Sequence, residues 1–330
     1  MPLLTIAIPT FNRANILFYS ISNILEQIRG YDIELLISDN RSTDNTQEIV
    51  REFMSINKQV RLTINRSEQS ADYNILNSLK ESKGDYIWLM GDDDFLMVGS
   101  IPSIMKCIDK NVVLIHVNTC GILSKGKKLY SPKRYKDQGI IYYSDINEFI
   151  KKIGIYITFL SGLIIKRSCF NYLDQNLVES FIGTHFLQSH IAFNILKSGN
   201  SAIDTNACVA SSPNNRASYD PIHVWIIDFY NLFYTTAKNC GISENIIDNV
   251  VHNALKYEIL DFVCKYLYTS YNTIKRDSIK ESQMILQKFP DILKDFNILL
   301  KTRYHFLPVF RLFFRTRRDL HNFICKYYMI

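Results

Sequence analysis

The residues Gly91-Asp92-Asp93-Asp94 close the apolar run Tyr86-Ile87-Trp88-Leu89-Met90. Such a run reads as a buried strand, so three carboxylates stand together at its carboxyl end. Crowded carboxylates repel one another and are costly to desolvate. A cation relieves both effects. Hard oxygen ligands suit Mg²⁺ or Mn²⁺, which commonly bridge to the phosphates of a substrate. The carboxyl ends of strands in an open α/β sheet are also where ligands bind. A solvated acidic turn is the plainer alternative, since Asp favours turns and caps.

The elements that must position this triplet follow from periodicity. Residues 3–8 form a β-like run that stops at Pro9-Thr10, and residues 33–38 form a second, followed by polar Asp39-Asn40-Arg41-Ser42-Thr43-Asp44. Residues 60–65 and 86–90 supply two more strands. Between them, 15–28, 45–54 and 71–82 carry helical spacing, the second of these capped by Ser42 or Thr43. Strands alternating with helices predict a mostly parallel, Rossmann-like α/β sheet covered by helices on both faces. Further on, 112–117, 154–165 and 202–210 read as strands, with a basic loop at 125–136, and 184–197 reads as a helix ended by Gly199. From about residue 222 the pattern is helical. The polar stretch 214–221 is the expected boundary, giving an α/β domain over 1–215 and a helical region over 216–330.

Composition narrows the function classes. Hydrophobic residues make up 47% of the 330 residues, enough for a sizeable core. The net charge is +6, and residues 301–330 carry seven Lys or Arg against the single acid Asp319, which accounts for all of it. The remainder is near neutral, so no nucleic-acid surface is expected. Seven cysteines without a C-x-x-C pair argue against a zinc site and a disulfide framework. The first residues lack a basic n-region and a cleavage site, and the longest strongly apolar stretch is too short for a spanning helix. A cytoplasmic protein is expected. The stretch 304–318 interleaves aromatic residues with Arg311, Arg315, Arg317 and Arg318. As a helix it would suit an anionic membrane surface, or would pack with a solvated basic face.

Three segments in order carry a family resemblance. Leu4-Thr5-Ile6-Ala7-Ile8-Pro9-Thr10-Phe11-Asn12-Arg13, Ile37-Ser38-Asp39-Asn40-Arg41-Ser42-Thr43-Asp44 and Gly84-Asp85-Tyr86 through Asp94 resemble the motifs of family 2 nucleotide-sugar glycosyltransferases with the GT-A fold. Within that family they are similar to bacterial O-antigen transferases of the abequosyltransferase type. The resemblance implies a GT-A-like α/β fold, a nucleotide-sugar donor and a Mg²⁺ or Mn²⁺ ion. It also implies a lipid-linked oligosaccharide acceptor in surface-polysaccharide assembly.

It assigns residues as follows. Asp93, with Asp94 and Asp92, is expected at the metal, because Gly91 takes the place of the family's first Asp. Pro9, Thr10, Asn12, Arg13, Asp39, Asn40, Asn74 and Asp92 are expected around the nucleotide sugar, Asp39 accepting from a base N–H. Asn74 could equally serve as a cap, whereas Ser42 and Asp44 already serve for capping near Asp39, which leaves its carboxylate for function. Arg216, in the polar loop before the helical region, is a cation for the leaving diphosphate, or a surface residue. Inverting members carry a Glu-Asp pair at a helix start a dozen residues before a Gly. Counting back from Gly199 reaches Leu187-Gln188, neither of which is a base. His185 and Glu179 are the nearest groups able to deprotonate an acceptor. Retention of configuration, which needs no such base, stays open. A nucleotidyltransferase would need a Gly-rich basic loop after the first strand, where Phe11-Asn12-Arg13-Ala14 stands instead. A non-catalytic sugar-binding module that kept the fold is the other alternative.

Overall fold

A computed structural model describes residues 1–66, 69–123, 128–130, 135, 139–211, 219–269 and 274–313. The chain folds as two compact units, residues 1–215 and 216–330. The first is built on a ten-stranded sheet. Strands β1 (Leu4–Thr10), β2 (Ile33–Asp39), β3 (Val60–Ile64) and β4 (Tyr86–Leu89) lie side by side in the order β3-β2-β1-β4, all parallel. Helices α1 (Ala14–Gln27), α2 (Thr46–Ile56) and α3 (Ala71–Glu81) connect them. β1, β2 and β4 are almost wholly buried, which is why they read as continuous apolar runs. α1 turns Leu17, Ile21 and Ile24 toward Ile6, Ile8, Leu35, Ile37 and Trp88 of the sheet, the i, i+4, i+7 stripe of a helix packed on one side.

The sheet continues through shorter elements in chain order: β5 (Phe95–Leu96), α4 (Ser100–Ile108), β6 (Leu114–Leu123), β7 (Lys128–Tyr130), β8 (Ile140–Tyr143) and α5 (Ile146–Ile153). Then come β9 (Leu163–Lys166), α6 (Arg167–Asn171), α7 (Gln175–Ser180), α8 (Leu187–Leu196) and β10 (Ser201–Ser211). β9 is antiparallel to both β4 and β6, and β10 runs parallel to β6. The sheet is thus parallel on one side and mixed on the other.

The segment 154–165 departs from the strand expected there. It makes two short 3₁₀ turns, Gly154–Thr158 and Leu160–Gly162, before β9 begins. The Thr158 hydroxyl donates to the Ile155 carbonyl at 2.8 Å, and Ser161 is engaged by Trp88 and Gly91. These polar contacts hold turns that a mostly apolar run does not reveal. α4, α5 and β8 likewise lie where the sequence pattern marks no element. α8 starts at Leu187, later than the spacing suggested.

The described part of the second unit is helical, with Glu244–Ala254, Leu260–Thr269, Arg276–Leu286 and Pro290–Phe313 its regular helices. Within it, Lys288 Nζ lies 4.0 Å from the centroid of the Tyr234 ring and 2.8 Å from Asp248 Oδ1. Among the described residues no helix is long and apolar enough to cross a membrane.

The start of β4 is set by one glycine. A Cβ on Gly84 would stand 2.4 Å from the backbone N of Thr5 and 2.6 Å from the Leu4 carbonyl carbon. Backbone cannot give way as a side chain can, so only glycine lets the chain enter β4 against β1. Gly84→Ala should therefore cost about 3 kcal/mol or more, the upper end of overpacking penalties. A denaturant midpoint within error of the parent would show that β1 and β4 separate freely there.

Candidate functional site

The loops after β1, β2 and β4 meet at the carboxyl edge of the parallel strands and bond to one another. Asn12, in the left-handed region at φ 54°, is the first staple. Its Oδ1 accepts from the Thr43 backbone N–H at 2.8 Å, and its own N–H donates to Ser42 Oγ at 2.8 Å. The Arg13 N–H donates to Thr46 Oγ1 at 3.1 Å, and the Ala14 N–H to Asp44 Oδ2 at 3.1 Å. Burial pushes the Asp44 carboxyl up, but donors from Thr46 and Ala14 outweigh it and hold the group below its usual range. Asp44, not Ser42 or Thr43, therefore tends the start of α2. Its Oδ1 accepts from the Thr46 N–H at 3.0 Å.

Asp39 ends β2 beside Thr10 of β1 and is fully buried. Its carboxylate takes the Ser42 N–H at 3.0 Å, the Ser42 hydroxyl, and Gln47 Nε2 at 2.7 Å. Three donors, two from its own loop and one from the first turn of α2, leave one of the roughly four lone-pair directions of a carboxylate for a base N–H.

Asn40 and Asn74 belong to a buried amide network. Asn40 Oδ1 accepts from Asn65 Nδ2 at 2.8 Å and from the Gln69 N–H at 3.0 Å. Asn74 Nδ2 donates to the carbonyls of Ser38 at 3.0 Å and Thr10 at 3.3 Å, while its Oδ1 accepts from the Ser38 hydroxyl at 2.8 Å. Asn74 neither caps α3, a task done by Ser70, nor presents a free amide to a ligand. It pins α3 to the ends of β1 and β2.

The acidic triplet does not form one cluster. Asp92, 8% exposed, points toward β1: its Oδ2 accepts from the Thr10 hydroxyl at 2.9 Å, and its Oδ1 lies 3.5 Å from Arg13 Nε. Burial, with some help from Asp93, raises its carboxyl to about 6 against the pull of Arg13 and Thr10. Asp94 folds back beneath the loop, where Oδ2 accepts from the Ser161 hydroxyl. Ser161 Oγ in turn accepts from the Gly91 N–H at 2.8 Å, and its carbonyl accepts from Trp88 Nε1 at 2.9 Å. A Cβ on Gly91 would meet Asp94 Oδ2 at 3.0 Å, so glycine at that position makes room for the folded carboxylate.

The expectation of three converging ligands is thus corrected: among the described residues no group of three acidic, His or Cys side chains is arranged to hold a metal. Asp93 remains. Burial raises its carboxyl above the usual range, and among the described residues no other residue's hydrogen bond to it is seen. A half-buried carboxylate of this kind fits Mg²⁺ or Mn²⁺ held by one or two carboxylates plus phosphate oxygens and water.

Of the two candidate bases, the structure brings one to this edge. The His185 N–H donates to Asp72 Oδ2 at 3.1 Å, and Asp72 sits two residues before Asn74 at the start of α3. The His185 side chain is exposed. Glu179 is placed elsewhere. It pairs with Lys80 at 3.0 Å in the last turn of α3, eight residues past Asp72, so roughly 12 Å further along the helix. His190 is buried and stacked on Phe181, with ring centroids 4.5 Å apart. Burial lowers its imidazole to about 4. Arg216 lies outside the described residues, as do Arg315, Arg317 and Arg318. Thr10 as the partner of Asp92, and Ser161 as the partner of Asp94, had no signal in the sequence: each meets its Asp across 82 or 67 residues.

The raised carboxyl of Asp92 has a sign that can be checked. A group titrating higher in the folded chain adds stability that is full below its unfolded value, near 4. That stability is lost as pH rises through about 6. In metal-free buffer Asp92→Asn should therefore gain on the parent between pH 4 and pH 7, by on the order of 2 kcal/mol. Urea midpoints whose difference does not change over that range would contradict the assigned environment.

The profile of the family described as Glycosyl transferase family 2 matches residues 5–173. Over 195 residues, the chain is 28% identical to "Abequosyltransferase RfbV" of Salmonella typhimurium, covering 56% of this chain and 58% of that one. It is 27% identical over 149 residues to "GalNAc(5)-diNAcBac-PP-undecaprenol beta-1,3-glucosyltransferase" of Campylobacter jejuni, covering 45% and 47%. The chain thus spans less than two thirds of the length of these relatives. Among solved structures, S. aureus TarS 1–349 in complex with UDP-GlcNAc superposes with a TM-score of 0.61 at 12% identity, over 93% of this chain and 87% of that one.

Proposed function

The chain belongs to glycosyl transferase family 2, and from that premise we propose that it moves a sugar from a nucleotide-sugar donor to a lipid-linked oligosaccharide in bacterial surface-polysaccharide assembly. The observation that carries this reading is the edge where the loops after β1, β2 and β4 are bonded into one rim, with the Asp93 carboxylate left to face a ligand. A nucleotide fits that rim in parts: the base toward Asp39, the diphosphate toward Arg13 and the triplet. The relatives' names, with an undecaprenol-linked acceptor in one of them, support the acceptor class.

In this mechanism Asp93, with Asp92 beside it, would hold the Mg²⁺ or Mn²⁺ whose charge neutralises the leaving diphosphate. Arg13 adds a fixed positive charge on the same side. The rim positions the donor and excludes water from its buried half. His185 takes the proton of the attacking hydroxyl. Asp39 and Asn40 shape the base-binding end, Asn40 through its bonds to Asn65 and Gln69.

Thermal stabilisation by a panel of UDP-, CDP-, GDP- and dTDP-sugars with Mn²⁺ tests the donor class, because a ligand that binds only the folded chain raises its melting point by mass action. One nucleotide should stand out, and Asp93→Asn should lose the part of that shift that depends on Mn²⁺. Equal stabilisation of parent and variant with and without Mn²⁺ would remove Asp93 from the metal. Asp39→Ala should weaken the preferred nucleotide by roughly 1–3 kcal/mol. An unchanged affinity would confine Asp39 to its turn.

A lipid-linked acceptor places the enzyme at a membrane, and the basic, aromatic stretch 304–318 is our choice for the contact. Replacing Arg311, Arg315, Arg317 and Arg318 with Gln should release the chain from anionic vesicles at physiological salt. Undiminished sedimentation with the vesicles would move the contact elsewhere.

A further inference from the structure

Asp72 is a buried carboxylate, 5% exposed, and it spends one oxygen on the backbone of a distant turn. Oδ2 accepts from the N–H groups of Gly183 at 2.8 Å and His185 at 3.1 Å. That turn contains two left-handed residues, Gly183 at φ 93° and His185 at φ 61°. Glycine adopts this conformation freely. Histidine does so against its steric preference and stays there only when its surroundings hold it. Left-handed residues of this kind turn backbone N–H groups into a concavity that takes an anion. Here the anion is a side chain of the same protein. The Thr184 hydroxyl tightens the turn further, donating to the Phe181 carbonyl at 2.7 Å.

The anchor lies at the carboxyl edge. Asp72 is in the first turn of α3, one turn of which also carries Asn74 onto the carbonyls of Thr10 and Ser38. Thr10 in turn donates to Asp92. A short chain of bonded residues therefore connects the strained His185 to the triplet. Of the two histidines here, His185 is exposed and His190 is buried against Phe181, so His185 is the one that can meet a bound hydroxyl.

We propose that Asp72 is the positioning residue of acceptor activation. By clamping the 183–185 turn it holds His185 in its left-handed conformation and so directs the imidazole at the acceptor. The role rests on the reading of His185 as general base. In that step the acceptor oxygen bonds to the anomeric carbon, and its proton passes to the imidazole nitrogen. The bond from the anomeric carbon to the diphosphate oxygen breaks, its electron pair leaving with the diphosphate.

The test uses transfer to water, read as nucleoside diphosphate released from whichever nucleotide sugar of the panel stabilises the chain, so no acceptor need be known. Asp72→Ala should lower kcat by about 10²-fold, the scale of a misplaced catalytic group, with the donor KM unchanged. Asp72→Asn, which keeps an oxygen for both N–H groups, should retain most of the rate. His185→Ala should lower kcat and remove the limb of the pH profile near neutrality. In the His185→Ala background Asp72→Ala should cost nothing more, because residues that act as one unit are not additive. If Asp72→Ala does not fold, Asp72→Glu, which moves the carboxylate by one methylene, gives the same comparison. A loss that is as large without His185 as with it overturns the positioning role and leaves His185 in place. A His185→Ala variant with full turnover and an unchanged pH profile overturns the general-base reading, and the role of Asp72 with it.

Discussion

A parallel sheet leaves the peptide groups and polar residues at its carboxyl edge with no further strand to bond, and buried polar groups without partners are costly. In this chain the loops after β1, β2 and β4 solve that problem for one another. Asn12 holds the β2 loop, Asn74 holds the ends of β1 and β2, and Thr10 holds Asp92. Remove the mutual bonding and each loop would have to find water or a different fold. The rim we propose for the ligand is thus the same set of bonds that closes the sheet edge.

That constraint explains why few of the polar residues there are free. Asp94 is committed to Ser161, Asn40 and Asn74 to the amide network, and Asp39 in large part to Ser42 and Gln47. What the edge leaves to a substrate is correspondingly small: the Asp93 carboxylate and the remaining direction of Asp39, with Arg13 beside Asp92 and the exposed His185 at the same edge. A site of few groups on a well-bonded frame loses little conformational freedom on binding, which is the physical sense of preorganisation.

The glycines Gly84 and Gly91 show how local choices serve this frame. Gly84 lets β4 enter against β1 where any Cβ would strike backbone. Gly91 leaves the space into which the Asp94 carboxylate folds. With a side chain at 91 the Asp94 carboxylate would have to give by a few tenths of an ångström, so glycine there suits the inward turn of Asp94.

The parallel half of the fold was legible in the residues themselves, because strands buried on both faces and helices with one apolar stripe leave unambiguous periods from residue 3 to residue 90. The strand ends were legible for the same reason, and with them the positions of Pro9, Thr10, Asp39 and Asp92 to Asp94 along one edge. The segment 154–165 was not, since an apolar run has the same appearance in a strand and in 3₁₀ turns held by Thr158 and Ser161. Nor could spacing tell which carboxylates converge. The orientation of Asp92 depends on Thr10, that of Asp94 on Ser161, and the backbone of His185 is held by Asp72, all partners 67 or more residues away. Residue type and local period determined where the chemistry stands along the chain. Only the tertiary structure decided which groups are consumed by holding the edge together and which remain to act, because hydrogen bonds between distant loops have no trace in local sequence.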